Sequence, residues 1–270
     1  MTDQIFAGLE VRNLRVVFDG FVAVGGTDPG RGVDLTVPRG DIRFLIGPNG
    51  AGKTTIVDAI TGLVRSTGSL MFGEQQLAGL KVQQIARLGI GRTFQTATVF
   101  EELSVLQNLD IAAGAGRGAM TMLRRRKGIP DEVMEALETV GLTGQLAEPA
   151  GILAHGQKQW LEIGMLLVQN SKLLLLDEPV AGMSHDERDA TGELLGLVAR
   201  SRTVVVVEHD MDFMRKFARS VTVLHQGTVL SEGTVAEVQA DPKVQEVYLG
   251  TAAAGLEPSS AAAGVEGGTV

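Results

Sequence analysis

Three short runs are apolar at every position: Phe44–Ile46, Leu173–Leu176 and Val204–Val207. Runs of that length with no polar face suit strands of a parallel sheet covered on both sides. Helical patterns separate them, so the chain reads as a doubly wound α/β core. Ahead of the core, Val16-Val17-Phe18 and Phe21-Val22-Ala23-Val24, then alternating Val33, Leu35 and Val37, predict further strands between Gly8 and Val37. Gly25–Gly32 interrupts them with too many turn formers for a strand. The stretch from Lys53 to Asp177 is longer than one crossover requires, and its middle is helical in pattern. Pro130-Asp131-Glu132 opens a helix, Val133, Met134, Leu137 and Val140 share a face, and Gly141 ends it. Thr96 to Leu167 is therefore expected to form a helical subdomain inserted in the core. Thr222–Glu232 predicts a hairpin turning at Gln226-Gly227. Thr251–Val270, rich in Ala, Gly and Ser, is expected to be disordered.

The first buried run leads into Gly47-Pro48-Asn49-Gly50-Ala51-Gly52-Lys53-Thr54-Thr55, and a helical pattern from Ile56 to Leu63 follows. Strand, glycine-rich loop and helix in that order are the context of a phosphate-binding loop. Glycines let backbone N–H groups converge on an anion, and the helix adds its positive N-terminal end. Lys53 is expected to reach the β- and γ-phosphates of a nucleoside triphosphate, and the Thr54 hydroxyl to ligate Mg²⁺. The second run ends in Asp177-Glu178. Phosphoryl transfer needs a carboxylate that holds Mg²⁺ and a group that orients water, and these two acids suit those tasks. The third run delivers Glu208-His209-Asp210 at its C-terminal end, where open α/β sheets bind ligands. Gln95, taken alone, reads as a surface glutamine.

Composition narrows the partners. The 270 residues suffice for one large domain or two small ones. A formal net charge of −8 argues against nucleic acid as the main partner. The chain has no cysteine, which excludes disulfides and thiolate metal sites. No apolar run approaches the roughly 20 residues of a membrane span, and the N-terminus lacks a secretory h-region. The protein is expected to be soluble, or to meet a membrane through a partner.

The phosphate loop, Gln95, Leu153-Ala154-His155-Gly156-Gln157, Leu175-Leu176-Asp177-Glu178-Pro179 and the strand-end His209, in that order, resemble the ATP-binding subunit of an ABC transporter over residues 8–250. The resemblance implies an ABC-type P-loop ATPase with a RecA-like core. It places an N-terminal antiparallel β subdomain at 8–40, the ATPase core at 41–95 and 168–250, and the helical subdomain at 96–167. It implies ATP and Mg²⁺, with Glu178 as general base, His209 as γ-phosphate sensor and Phe18 stacked on adenine. Gln95 would link Mg²⁺ and the attacking water to a membrane subunit. Leu153–Gln157 would open a helix facing the γ-phosphate of ATP held by a second subunit, identical or paralogous. The implied partners are transmembrane permease subunits at the cytoplasmic face of the membrane and, indirectly, an extracytoplasmic solute-binding protein. Pro179–Met183 and Ala240-Asp241-Pro242 through Val247–Gly250 resemble the branch serving branched-chain amino acids and urea, and His155–Met165 resembles most the urea-transporter subunit. Uptake of urea or a short amide is the leading expectation, branched-chain amino acids the alternative.

The chain departs from the family pattern at Ala154, where a Ser usually donates to the γ-phosphate, and at Ser184, where many members carry Asp. Gly25–Gly32 is expected to lengthen a hairpin as a surface loop. Arg124-Arg125-Arg126-Lys127 reads as a solvated loop between helices, with anionic headgroups as the alternative. A non-transport ATPase of the same type would carry a second cassette or a long coiled coil, and a GTPase an Asn-Lys-x-Asp guanine reader. The sequence shows none of these.

Overall fold

The computed structural model describes residues 8–26, 28, 30–93, 98–114 and 128–247. Its centre is a six-stranded sheet in the order β11-β10-β4-β9-β8-β7. These strands are β4 (Ile42–Ile46), β7 (Ile90–Arg92), β8 (Leu173–Asp177), β9 (Thr203–Val207), β10 (Ser220–His225) and β11 (Thr228–Gly233). All neighbours pair in parallel except the β10–β11 hairpin. The uninterrupted apolar runs have a physical cause. Phe44, Leu174, Leu176, Val204 and Val206 enter one hydrophobic core, while Leu45, Leu173, Leu175, Val205 and Val207 enter a second on the opposite face. A strand with period-two side chains and a core on both sides has no place for a solvated residue. Arg43 is the exception, buried at 7 % exposure but bonded to Thr222 Oγ1 at 3.0 Å and ion-paired with Glu232 and Asp41.

The second core lies under an antiparallel sheet built on β1 (Leu9–Phe18). β2 (Phe21–Val24), β3 (Val33–Val37) and β5 (Thr67–Phe72) all pair with β1, and β6 (Gln75–Gln76) pairs with β5. The sheet thus takes two strands from the stretch the sequence reading gave to the ATPase core. The tight hairpin turn is Asp19-Gly20, with φ of 46° and 88°. Val24 stands opposite Val16 and Val33 opposite Leu14. β2 and β3 thus run along the same edge of β1 on either side of Gly25–Gly32, of which residues 27 and 29 lie outside the described residues. Arg15 holds the base of that stretch by donating from Nη1 to the carbonyls of Gly26 at 3.3 Å and Asp28 at 2.9 Å.

Helices cover the sheet: α1 (Lys53–Ile60), α2 (Val82–Arg87), α3 (Val105–Gly114), α4 (Asp131–Thr139), α5 (His155–Val168), α6 (His185–Val198), α7 (Met211–Phe217) and α8 (Val235–Ala240). α3, α4 and α5 pack on one another through Leu109, Val133, Leu137, Val140, Leu161 and Ile163. Close contact of α5 with Leu109 and Val140 rests on Gly164, where a Cβ would come within 3.3 Å of Leu109. Among the described residues, no helix is long and apolar enough to cross a membrane. The basic run 124–127 and the tail 251–270 lie outside the described residues.

Candidate functional site

The phosphate loop leaves β4 at Gly47 and enters α1 at Gly52. Gly47 has φ 152°, and a Cβ there would stand 2.2 Å from the Leu224 carbonyl oxygen. Gly52 caps α1 in a left-handed conformation, φ 99°, against the Ala23 carbonyl. Both positions demand glycine for a backbone that wraps this tightly. Lys53 is 8 % exposed and folds back into the loop, its Nζ donating to the carbonyls of Gly47 at 2.7 Å and Pro48 at 3.1 Å. Burial lowers its pKa, against the opposing charges of Glu178, Asp177 and Glu208. Lys53 thus feels the negative charge of three carboxylates while its own hydrogen bonds go to the loop backbone.

A cavity of about 370 Å³ opens over the loop. Asn49, Gly50, Ala51, Gly52, Lys53, Thr54 and Thr55 line it, with Phe18, Phe21, Ala23, Glu178 and Val207 completing the wall. Of the residues expected from sequence, the structure therefore brings Phe18, the loop and Glu178 to one place. Phe18 is 45 % exposed and Phe21 71 %; they are cross-strand partners at the Asp19-Gly20 turn. Phe21 was not anticipated, although a second Phe three residues on across a two-residue turn was a readable signal.

Asp177 ends β8 at 8 % exposure. Burial raises its pKa, while Arg92 pulls it back through charge and a 3.3 Å hydrogen bond. Arg92 also pairs with Asp58 of α1, so the three side chains join β7, α1 and β8. Glu178 follows in a left-handed backbone, φ 49°, which a non-glycine residue adopts at a cost of order 1 kcal/mol and which recurs where a side chain must be aimed. Its Oε1 lies 3.4 Å from His209 Nδ1. Glu208, 1 % exposed, accepts from the backbone N–H groups of His209 at 3.0 Å and Asp210 at 3.3 Å. Its other oxygen accepts from Val180 at 3.4 Å, so one buried carboxyl fastens the loop after Glu178 to the loop of His209. Burial raises its pKa. Arg92, Asp58 and Glu208 were missed because each reads locally as an ordinary surface charge.

None of Leu153–Gln157 lines that cavity, and neither do Asp177 and His209. Leu153 is buried at 6 %, Ala154 is the N-cap of α5, and His155 begins the helix. Gln157 reaches back to accept from Ala154 N at 3.0 Å, half of a capping box, because alanine offers no acceptor to the N3 amide. His155 Nε2 is 3.1 Å from the Ala181 carbonyl. Gln95 lies outside the described residues; Thr93, two residues before it, binds β8 through its N–H to Leu175 at 3.0 Å.

Residues 31–181 match the ABC transporter family model, and residues 228–254 match that of the branched-chain amino acid ATP-binding cassette transporter. The chain is 36% identical to the high-affinity branched-chain amino acid transport ATP-binding proteins BraF of Pseudomonas aeruginosa and LivG of Escherichia coli, covering 90% of this chain and 98% of each relative. Among solved structures it is similar to the ADP conformation of MJ1267, an ATP-binding cassette of an ABC transporter, with 30% identity, a TM-score of 0.76, and 90% and 98% of the two chains covered. The dimeric structure of MJ0796, a bacterial ABC transporter cassette, shares the fold at 21% identity and a TM-score of 0.68, over 84% of this chain and 98% of that one. The chain belongs to the ABC transporter family, as an ATP-binding subunit of the branched-chain amino acid type. It is an ATPase.

Proposed function

We propose that this subunit powers uptake of branched-chain amino acids by closing around ATP with a second cassette. The observation that carries the two-subunit part is the separation just described. The phosphate loop and Glu178 share a cavity that Leu153–Gln157 does not line, and the α5 start is exposed at Ala154 and His155, which supports a helix end offered to another subunit's phosphate. The dimeric structure of MJ0796, a cassette of the same fold, is consistent with the reading. The names of BraF and LivG support branched-chain amino acids over urea, which the His155–Met165 resemblance had favoured.

In the closed site, Lys53 and the Gly50–Thr55 amides hold the β- and γ-phosphates, and Phe18 stacks on the base. Glu178 accepts a proton from the attacking water as its oxygen bonds to the γ-phosphorus and the bond to the ADP oxygen breaks. His209, beside Glu178, donates to the γ-phosphate. Thr54 and Asp177 would hold Mg²⁺, an oxygen donor set that fits a hard cation taking few protein ligands and several waters. Bound there, the ion would neutralise charge developing on the phosphate oxygens. Gln95 would report the state of the site to a permease. A groove of about 300 Å³ lined by Leu63, Val82, Ile85, Met165 and Arg92 supports docking of such a subunit, since Leu63 and Val82 are 49 % and 41 % exposed there. The ATPase would then sit at the cytoplasmic face of the membrane through its permeases, supplied by an extracytoplasmic binding protein. Uptake of labelled leucine and labelled urea in cells with and without this subunit tests the substrate. Loss of leucine uptake alone is expected; loss of urea uptake alone would reinstate the urea reading.

A further inference from the structure

The first turn of α5 is not bare, because a carboxylate of the same chain stands against it. Glu187, in the first turn of α6, points one oxygen back to its own helix cap: Oε2 accepts from Ser184 N at 2.9 Å and Ser184 Oγ at 2.8 Å. Its other oxygen, Oε1, lies 2.8 Å from where a Cβ on residue 156 would stand, so the carboxylate sits directly against the first turn of α5. The donors that hold the Glu187 carboxyl below the usual range are Ser184 first, then the charge of His155 and the Gly156 N–H. His155 adds a second tie from α5 to the Ala181 carbonyl. The anchoring segment connects onward to the His209 loop, since Arg188 donates to Asp210 at 2.7 Å.

We propose that Glu187 is a positioning residue of the two-subunit site. Its carboxylate holds the phosphate-facing turn of α5 while the subunit is empty, and leaves that turn when the γ-phosphate of a partner-bound ATP arrives. This rests on the sandwich reading above. The amides of one helix end cannot serve two anions, and like charges a few ångströms apart in a closing, water-poor interface repel strongly. Glu187 can yield without unravelling α6, because Ser184 still binds its second oxygen. Ala154 tilts the competition towards Glu187, since it adds no hydroxyl on the phosphate side. Displacement therefore transmits arrival of one ATP to the Glu178–Ser184 segment that serves the other.

Two readouts test this. In the ATP-free monomer, hydrogen exchange at the Gly156 amide should be faster in Glu187→Gln than in the parent; equal rates overturn the holding role. In a Glu178→Gln background, which stalls turnover, the ATP concentration giving half-maximal dimer by sedimentation should fall about two- to fivefold on adding Glu187→Gln, the factor one helix-terminus charge is worth. Glu187→Asp, which keeps the charge and can still cap α6 but is too short to reach Gly156, should act like the Gln variant. An ATP requirement unchanged or raised in both variants overturns displacement. A parent that stays monomeric at saturating ATP overturns the sandwich of identical subunits itself, and the exchange result then judges the holding role alone.

Discussion

Replacing Ala154 with Ser should both stabilise the subunit and tighten its ATP-driven association. The N-cap of α5 is exposed and extended, φ −59° and ψ 159°, the backbone in which a serine side chain accepts from the N3 amide. Gln157 already supplies the reciprocal bond, so serine would complete the capping box. A completed cap is worth about 1 kcal/mol, or about 2–4 °C in Tm for a chain of this size. Differential scanning calorimetry without nucleotide measures that part. If α5 meets a partner's γ-phosphate, the hydroxyl also adds a charge-assisted hydrogen bond worth about 2 kcal/mol, roughly a thirtyfold gain at each site. The ATP dependence of dimer formation in the Glu178→Gln protein measures this second part. A higher Tm with unchanged association would leave the cap argument intact and refute the placement of α5 against phosphate. No change in either would refute the cap as well.

Other substitutions separate the remaining roles. Glu178→Gln should bind ATP normally and lose turnover by about 10²–10⁴-fold if Glu178 is the base; steady-state phosphate release checks this, and retained hydrolysis would remove it from that role. Phe18→Ala should weaken ATP binding by about 1–3 kcal/mol if the ring stacks on the base, measured by calorimetric titration, with Phe21→Ala losing less. Equal affinity in the Phe18 variant would return that ring to a packing role. Glu208 has a raised pKa in the folded protein, so the native state holds its proton to higher pH than the unfolded chain, and this group's contribution to stability falls as pH rises through that interval. Glu208→Gln should flatten that fall in a urea-unfolding series from pH 4 upward; an identical slope would show that the carboxyl does not titrate as its burial requires.

Much of this protein is written locally. The phosphate loop was legible because Gly47, Gly52 and Lys53 specify a backbone path within a few residues, and that path is the site. The strands β4, β8 and β9 were legible because burial on both faces forces unbroken apolar runs. Which strands join which sheet was not. Thr67–Phe72 carries no local mark that assigns it to β1, and three-residue β7 exists only because β8 pairs with it. That β2 and β3 both pair with β1 on either side of the Gly25–Gly32 turn formers was equally unmarked in the sequence. Side chains acting at a distance were equally hidden. Arg92 reaches Asp58 and Asp177, Glu208 clasps two loops, and Glu187 touches the start of another helix, all across long sequence separations. The run from Gly47 to Thr55 is enough to read a strand, a glycine-rich loop and a helix start suited to a triphosphate. That Leu153–Gln157 takes no part in the wall of that cavity could not be read from either segment, because which segments meet at a cavity is a property of packing.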